Sequence, residues 1–181
     1  MRTRRPQTRV IGDLHFYDPN IIEMGPREFE SVEQMNKFMI DEWNSVTGEH
    51  DTVIVNGDFI DLLHCTVEQA YSIIDQLNGH IVLVLGNHDV AHEAVLRNYG
   101  PRLEIISYSI VKDEFWIISH EPQYVSTAAP YANVYAHVHL NPTYKSVSSR
   151  SFCTSAERLG YKPALWEDIV CAVLSYKEEK A

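Results

Sequence analysis

Aspartate, asparagine and histidine side chains recur along this chain at spacings that suit metal binding. Ten of them follow short apolar segments: Asp13, His15, Asp58, Asp61, Asn87, His88, Asp89, His120, His137 and His139. The group contains no thiol, so it suits Mn, Fe, Co, Ni or Zn bound through oxygen and nitrogen rather than a sulfur-bound structural zinc. So many donors exceed the needs of one tetrahedral ion. They favour two ions about 3.5–4 Å apart that share a bridging carboxylate.

The charge of such a centre indicates its chemistry. Two divalent cations that face two carboxylates, Asp13 and Asp58, retain about two positive charges. A phosphate group together with a hydroxide neutralises that charge. The donor set therefore predicts phosphoryl chemistry on a small phosphate ester.

The elements that must position these donors follow from the apolar spacing. Three runs have the composition of buried strands, and each ends at a glycine followed by polar residues. These runs lie at 9–11, 52–55 and 81–85. Capping boxes that begin at Ser31 and Thr66 predict two helices between the strands, ending near Gly48 and Leu77.

The second half of the chain predicts more strands and a final helix. Residues 105–111 and 115–119 have the pattern of a β-hairpin, and strands follow at 134–136 and 151–154. Residues 165–176 have the spacing of an amphipathic helix. The order predicts a mixed α/β fold, in which ligands bind outside the carboxyl ends of the strands.

Length and composition favour one globular domain over residues 1–181, with 1–8 as a flexible N-terminal arm. No apolar run approaches the ~20 residues of a membrane span, and the N-terminus lacks the apolar region of a signal peptide. The three cysteines are odd in number and far apart, which favours reduced thiols in a cytoplasmic protein. A net charge of −10 disfavours a nucleic acid polymer as partner. The sequence leaves open whether the chain forms a homo-oligomer.

Five short motifs together carry a family resemblance. In chain order they are Asp13-Leu-His15, Gly57-Asp58-Phe-Ile-Asp61, Gly86-Asn87-His88-Asp89, His120 and Ala136-His137-Val-His139. This succession resembles the DxH, GDxxD, GNH(D/E), H and GHxH motifs of the calcineurin-like metallophosphoesterases. The segments DLHF and PREFESVEQMNKFMIDEWNSV are similar to those of small single-domain phosphoesterases of bacteria and phages. The resemblance implies a four-layer α/β/β/α sandwich.

The same resemblance implies a role for each donor. One metal ion is expected on Asp13, His15 and His139, and the other on Asn87, His120 and His137, with Asp58 bridging the two. His88 is expected to be the general acid that protonates the leaving oxygen, and Asp61 to orient its imidazole. The nucleophile is expected to be a metal-bound hydroxide that attacks in line.

Three further residues have two interpretations each. Arg27 matches an arginine of the small relatives and is a candidate for pairing with a phosphate oxygen, or for a surface ion pair. His64 is a candidate for the substrate pocket, or a structural histidine. Asp89 ends the third motif and equally suits the N-cap of a helix that starts at Val90.

Three residues depart from the family's usual motifs, and two of them bear on the class of substrate. Ala136 replaces the usual glycine of the last motif, which places a methyl group close to the expected ligands. Leu62 and Asp89 differ from the residues at these positions in the protein serine/threonine phosphatases, which argues against a phosphoprotein phosphatase.

The resemblance favours a phosphodiesterase that uses two divalent ions, with manganese as the first choice. A phosphomonoesterase or pyrophosphohydrolase on a small metabolite stays open. A non-catalytic protein-binding scaffold is disfavoured, because all seven ligands and His88 are intact.

Overall fold

The computed structural model describes residues 4–23, 25 and 27–177. In this part of the chain the strands are β1 (Thr8–Ile11), β2 (Thr52–Asn56), β3 (His80–Val84), β4 (Leu103–Ile106), β5 (Ser109–Lys112), β6 (Trp116–Ser119), β7 (Ala132–Tyr135), β8 (Ser151–Cys153) and β9 (Ala164–Leu165). The α-helices are α1 (Asn20–Glu23), α2 (Val32–Val46), α3 (Val67–Gln76), α4 (Glu93–Arg97) and α5 (Trp166–Ser175). Two 3₁₀ segments lie at Val90–His92 and Ala156–Leu159.

The strands form two sheets. The first has the order β4-β3-β2-β1-β9, in which β1 to β4 are parallel and β9 is antiparallel at the edge. The second has the order β5-β6-β7-β8, in which β5 is antiparallel and the other strands are parallel. Predicted ligands follow the carboxyl ends of β1, β2, β3, β6 and β7; they are Asp13, Asp58, Asn87, His120 and His137.

Apolar residues on both faces of the first sheet hold the layers together. Adjacent residues of a strand point to opposite faces, and β1 buries both Val10 and Ile11. Ile11 belongs to a cluster with Trp43 of α2 and Ile74 of α3. Val10 belongs to a second cluster with Val134 of the other sheet. These contacts give the order helices, first sheet, second sheet and confirm the mixed α/β fold. The fourth layer of the expected sandwich stays a prediction.

The predicted helix starts are confirmed by the capping contacts. At α3, Thr66 and Gln69 form the complete capping box, each side chain bonding to the backbone of the other. At α2, the Ser31 hydroxyl accepts a hydrogen bond from the Gln34 amide, while the Gln34 side chain bonds to the backbone of Glu30 instead. No helix in the described chain is long and apolar enough to cross a membrane.

The predicted strand at residues 105–111 is wrong at its centre. Its first part lies in β4 of the first sheet, whereas its second part lies in β5 of the second sheet. Ser107 and Tyr108 form the crossing between the two sheets. A continuous apolar pattern does not report this change of partner, because both halves are half-buried in different sheets.

Part of the N-terminal segment expected to be flexible makes hydrogen bonds and an ion pair with the start of β2 and the residue before it. Residues 1–3 lie outside the described residues, but Arg4 forms an ion pair with Asp51. The Gln7 amide donates to an Asp51 carboxylate oxygen at 2.9 Å, and the Gln7 carbonyl accepts from the Thr52 amide at 2.9 Å. Thr8 already belongs to β1. The single domain over 1–181 stays a prediction.

The three cysteines are free, as the sequence predicts. They are Cys65, Cys153 and Cys171. Burial raises the pKa of Cys65 to about 11 and also raises the pKa of Cys153. A thiol with a raised pKa is a weak nucleophile at neutral pH, so these two cysteines fit structural positions.

Candidate metal centre

Two groups of metal-ligand side chains lie at the carboxyl ends of the parallel strands. The first, which we call the Asp13 cluster, consists of Asp13, His15 and His139. The second, which we call the His120 cluster, consists of Asp58, His120 and His137. Within each cluster one donor atom from every side chain lies within 4.8 Å of the others. Each cluster therefore holds three donors close enough to share one ion.

Asp58 lies between the two clusters. Its Oδ2 atom is 3.3 Å from His120 Nε2 and 3.6 Å from His15 Nε2. Its Oδ1 atom accepts a hydrogen bond of 3.0 Å from the backbone N–H of His88. One carboxylate oxygen thus faces a histidine from each cluster, which is the position that the bridging role requires.

Asn87 joins the site at the His120 cluster. Its Oδ1 atom is 2.9 Å from His120 Nε2, and His137 Nδ1 is 3.0 Å from the same nitrogen. The backbone N–H of His137 donates to Asp13 Oδ1 at 2.8 Å and so links the two clusters. The structure therefore brings all seven predicted ligands together.

The backbone around the site is left-handed at five of the seven predicted ligands. These residues, with φ between 46° and 69°, are Asp13, His15, Asp58, His137 and His139. A non-glycine residue in a sparsely populated region costs about 1–3 kcal/mol and persists where the surroundings enforce it. Gly57 is also left-handed, and a Cβ there would collide with the His120 imidazole. The tight reversals after the strands bring the ligands to one point.

The methyl group of Ala136 fits because its neighbour is a glycine. Ala136 is fully buried beside the ligands. A Cβ added at Gly12 would lie 2.5 Å from the Ala136 Cβ, which is too close for two carbon atoms. The absence of a Cβ at Gly12 thus leaves the space that the Ala136 methyl group occupies.

Three of the histidines are held at Nδ1 by oxygen acceptors, which leaves Nε2 for the centre. His15 Nδ1 is 3.2 Å from Asp18 Oδ2, and His139 Nδ1 is 2.9 Å from Glu157 Oε1. His120 Nδ1 is 3.0 Å from the backbone carbonyl oxygen of Asn56. Such partners fix the tautomer and orientation of a metal-binding imidazole. His137 differs, because its Nδ1 atom itself faces His120.

The sequence predictions did not include these supporting residues. Asp18 follows His15 by three residues, which is a weak local signal. Glu157 lies in a 3₁₀ segment 18 residues after His139, and no sequence spacing points to it. Its carboxylate also pairs with Arg27 at 2.8 Å. Burial raises the pKa of Glu157, but the contacts with His139 and Arg27 outweigh burial and lower the pKa to about 2.

The predicted substrate contact of Arg27 is wrong. The side chain is fully buried, and its Nε donates to Glu157. One terminal nitrogen donates to the Leu14 carbonyl at 2.7 Å, and the other donates to the Asp13 carbonyl. Arg27 therefore supports the loop that carries the Asp13 cluster, and no substrate oxygen can reach its guanidinium.

The structure does not bring Asp61 to the His88 imidazole. Asp61 Oδ2 is 2.6 Å from His64 Nδ1, and Asp61 Oδ1 accepts from the Leu63 amide at 2.8 Å. A local turn thus engages both oxygens. Asp18, Asp61 and His64 form a third compact group. Their carboxylate oxygens already have protein partners, and His64 is not among the residues that line the cavities at the centre.

The Asp89 side chain forms hydrogen bonds to two loops that carry ligands. It does not cap the 3₁₀ segment that follows it. It is fully buried, and its carboxylate accepts from the amides of Asp58 and Gly86 at 2.8 Å and of Phe59 at 3.0 Å. Burial outweighs these hydrogen bonds and raises the pKa of Asp89 to about 6. The residue joins the loops after β2 and β3, so it positions Asp58 and Asn87 together.

His88 has its imidazole exposed at the rim of the centre. Its ring centroid is 5.0 Å from that of His15, in an edge-to-face arrangement. Only its backbone N–H has a hydrogen-bond partner among the described residues. The side chain is therefore available to a bound molecule.

Two cavities reach different ends of the centre. The first, which we call the His88 cavity, has a volume of about 370 Å³ and is lined by His15, Asp18, His88 and His139 among others. The second, which we call the tyrosine cavity, has a volume of about 640 Å³ and touches Asn87 and His120. A molecule bound at the centre therefore has room on both sides.

The comparison with known families agrees with this geometry. The sequence profile of the family described as calcineurin-like phosphoesterase matches residues 8–175, which contain every motif of the site. The chain belongs to this family. Calcineurin-like phosphoesterases generally use divalent metals, and the two clusters supply the corresponding ligand types.

Two proteins align with about nine-tenths of this chain. An uncharacterised protein of Methanocaldococcus jannaschii, MJ1445, is 31% identical over 170 residues, covering 89% of this chain and 88% of its own length. The crystal structure of AQ665, a protein of unknown function from Aquifex aeolicus, has a TM-score of 0.69 at 24% identity and covers 92% and 99% of the two chains. The nuclease MPE of Pseudomonas putida has a TM-score of 0.47 at 22% identity over 73% and 61%. The Aquifex structure supports the fold.

The residues present fit the divalent metals of the calcineurin-like phosphoesterases. Two buried polar atoms of the Asp13 cluster, Asp13 Oδ2 and His15 Nε2, have no hydrogen-bond partner among the described residues. A buried polar atom without a partner is unfavourable by roughly 1–3 kcal/mol. A cation bound at that point would satisfy a carboxylate oxygen and an imidazole nitrogen together.

The charges at the His120 cluster also fit a metal. Burial lowers the pKa of His120, but its contacts with Asp58 and Asp13 outweigh burial and raise the pKa to about 9. The contact with His120 lowers the pKa of Asp58 to about 2 in spite of its burial. A protonated His120 thus neutralises Asp58 in the metal-free protein. A divalent ion would take over that role and displace the proton.

Proposed function

We propose that this chain hydrolyses phosphodiester bonds in small substrates, using two divalent ions held by its two clusters. The observation that carries the proposal is the position of Asp58, whose single oxygen faces His120 and His15. A carboxylate between two histidine clusters suits a pair of ions better than two separate sites. Manganese is the first choice, and iron, zinc, cobalt and nickel suit the same donors.

One ion would be held by Asp13, His15 and His139. The other would be held by Asn87, His120 and His137, and Asp58 would bind both. When bound, the ions would offset the phosphate charge and lower the pKa of a coordinated water to about 7. The protein contributes orientation through the Nδ1 contacts of His15, His139 and His120.

His88 is proposed as the general acid for the leaving group. Its imidazole lines the cavity next to the Asp13 cluster and has no protein partner among the described residues. A protonated imidazole there can donate to the oxygen that departs from phosphorus. Asp61 is not assigned the role of orienting His88, because its two carboxylate oxygens bond to the Leu63 amide and to His64.

The two cavities favour a diester over a monoester. A diester has two substituents on phosphorus, and the centre opens to the His88 cavity at one end and the tyrosine cavity at the other. A monoester needs only one such space. The net charge of −10 supports a small substrate rather than a nucleic acid polymer.

Activity with added metal is the first test of the proposal. The metal-loaded chain should hydrolyse a p-nitrophenyl phosphodiester, and a chelator should abolish turnover. Inertness with all five metals would contradict the proposal and favour the scaffold alternative.

Substitution of His88 tests the general acid. An alkoxide leaving group needs protonation, whereas p-nitrophenolate leaves as an anion, so His88→Ala should slow alkyl diesters about 10²–10⁴-fold and aryl diesters little. His80→Ala is the matched control, because His80 is also partly exposed but lies at the opposite end of β3. Equal losses on both substrates at unchanged metal content would contradict this role.

A further inference from the structure

The two most exposed large apolar side chains of the described chain line the same cavity. Tyr124 is 94% exposed and Tyr108 is 87% exposed, and both belong to the tyrosine cavity. No hydrogen bond to either phenol hydroxyl is present among the described residues. Folding gains nothing from two such exposed rings, so the presence of both on one cavity beside the ligands points to a bound molecule.

The backbone presents both rings from anchored segments. Tyr108 lies at the crossing between β4 and β5, so strands of two different sheets fix its position. The residue before Tyr124 is Gln123, whose amide donates to Asn133 Oδ1 of β7 at 2.7 Å. A tyrosine ring on an anchored backbone offers a flat apolar face, and because it has only two side-chain torsions it loses little conformational entropy on binding.

The charge of the cavity restricts what it can receive. Its described lining contains no lysine or arginine, and Glu121 is its acidic residue. Away from the ligand His120, a second phosphate group would therefore meet the Glu121 carboxylate with no lysine or arginine in the lining to offset it. The volume of about 640 Å³ is that of a site for a small organic molecule.

We infer that the tyrosine cavity binds the substituent that stays on phosphorus, and that this substituent is an uncharged nucleoside. Tyr108 and Tyr124 provide faces on which a base can stack, beside the proposed ligands Asn87 and His120. The leaving group then occupies the His88 cavity, next to the proposed general acid. This inference rests on the proposed phosphodiesterase function and names its substrate class as nucleoside phosphodiesters.

Two chromogenic diesters with the same leaving group test the inference. Thymidine 5′-(p-nitrophenyl phosphate) carries a nucleoside, whereas methyl p-nitrophenyl phosphate carries only a methyl group. Stacking on an aromatic side chain contributes about 1–3 kcal/mol, so Tyr108→Leu and Tyr124→Leu should each lower kcat/KM for the thymidine ester roughly 5- to 160-fold, mainly through KM. The same variants should leave the methyl ester unaffected, and Tyr108→Phe and Tyr124→Phe should retain the wild-type preference.

Control measurements separate the possible failures. Tyr131→Leu is the matched control, because Tyr131 is a partly exposed tyrosine that does not line this cavity. Equal losses on both esters, or a wild-type enzyme without preference for the thymidine ester, would overturn the inference while the phosphodiesterase activity stands. Faster cleavage of a longer oligothymidylate than of the thymidine dinucleotide, measured side by side, would overturn the small-substrate assignment. Failure to hydrolyse either ester with any of the metals would overturn the proposed function itself.

Discussion

The two clusters of the candidate centre hold their histidines in different ways. In the Asp13 cluster, His15 contacts the carboxylate of Asp18 and His139 contacts that of Glu157. In the His120 cluster, the hydrogen-bond partner of His120 Nδ1 is a neutral backbone carbonyl at 3.0 Å, with Asp13 Oδ1 farther away at 3.9 Å, and His137 has its Nδ1 atom turned toward the site. Each of the two histidines of the first cluster therefore has a hydrogen-bonded carboxylate behind its ring. In the second cluster, the nearest negative charge to the His120 ring is the carboxylate of Asp58, which faces the centre.

This difference predicts that the two ions bind unequally. A carboxylate behind an imidazole raises its basicity and fixes its orientation, which strengthens metal binding. The Asp13 cluster should therefore bind the first ion and hold it more tightly. The His120 cluster should fill second, because its protonated histidine must lose a proton and it shares Asp58 with the first ion.

The largest effect is expected for Asp58→Asn, which removes the carboxylate common to both clusters. Changes to residues behind a ligand already cost about 10–100-fold in affinity, so loss of this ligand should lower metal binding and turnover more than about 100-fold. His15→Ala should have a smaller effect, because it affects one ion. Metal analysis and kcat/KM on an aryl diester measure both. A variant with two bound ions and normal turnover would contradict the bridging role.

The Asp18→Asn variant tests the charge behind the Asp13 cluster. Asparagine keeps the oxygen that accepts from the Asn20 amide but removes the charge next to His15. The affinity for the first ion should fall about 10–100-fold, with little change at the second. Asp41→Asn is the matched control, because Asp41 pairs with Lys37 on the exposed face of α2. Calorimetric titration with Mn²⁺ resolves the two steps, and equal weakening of both would contradict the comparison.

The smallest effect is the pH dependence of the second ion. His120 has a pKa of about 9 in the metal-free protein, so below that pH the ion must displace a proton. The affinity at this cluster should therefore fall as the pH is lowered, by about tenfold per unit. Titrations in buffers with different ionisation enthalpies count the protons released. The first ion already binds Asp13 and Asp58, the carboxylates that raise the pKa of His120, so the protons are counted over both steps, and no proton release at pH 7 in either step would contradict the His120–Asp58 pairing.

The sequence predicts the ligands better than their supports. The ligands fall in short motifs directly after strands, and their positions follow from the local pattern and from the family resemblance. Glu157 and Asn56 act through contacts 18 and 64 residues away in the chain, which local spacing does not encode. The errors at Arg27 and Asp61 have the same origin, because each motif fixed the residue type but not its hydrogen-bond partner.

The fold shows a similar limit. Strands and helices with clear caps or turns lie within about two residues of their predicted bounds, as with α3 and its complete capping box. The exception is the segment 105–111, where the chain passes from one sheet to the other. An apolar period identifies a strand but not the sheet that it joins, and here that difference places Tyr108 at a cavity.

The most direct test of the shared centre is anomalous diffraction at the manganese edge from crystals of the manganese-loaded protein. The account predicts two peaks about 3.5–4 Å apart, with the Asp58 carboxylate in contact with both. The peak at Asp13, His15 and His139 should have the higher occupancy when metal is limiting. A single peak at saturating metal, or two peaks with Asp58 bound to only one, would contradict it.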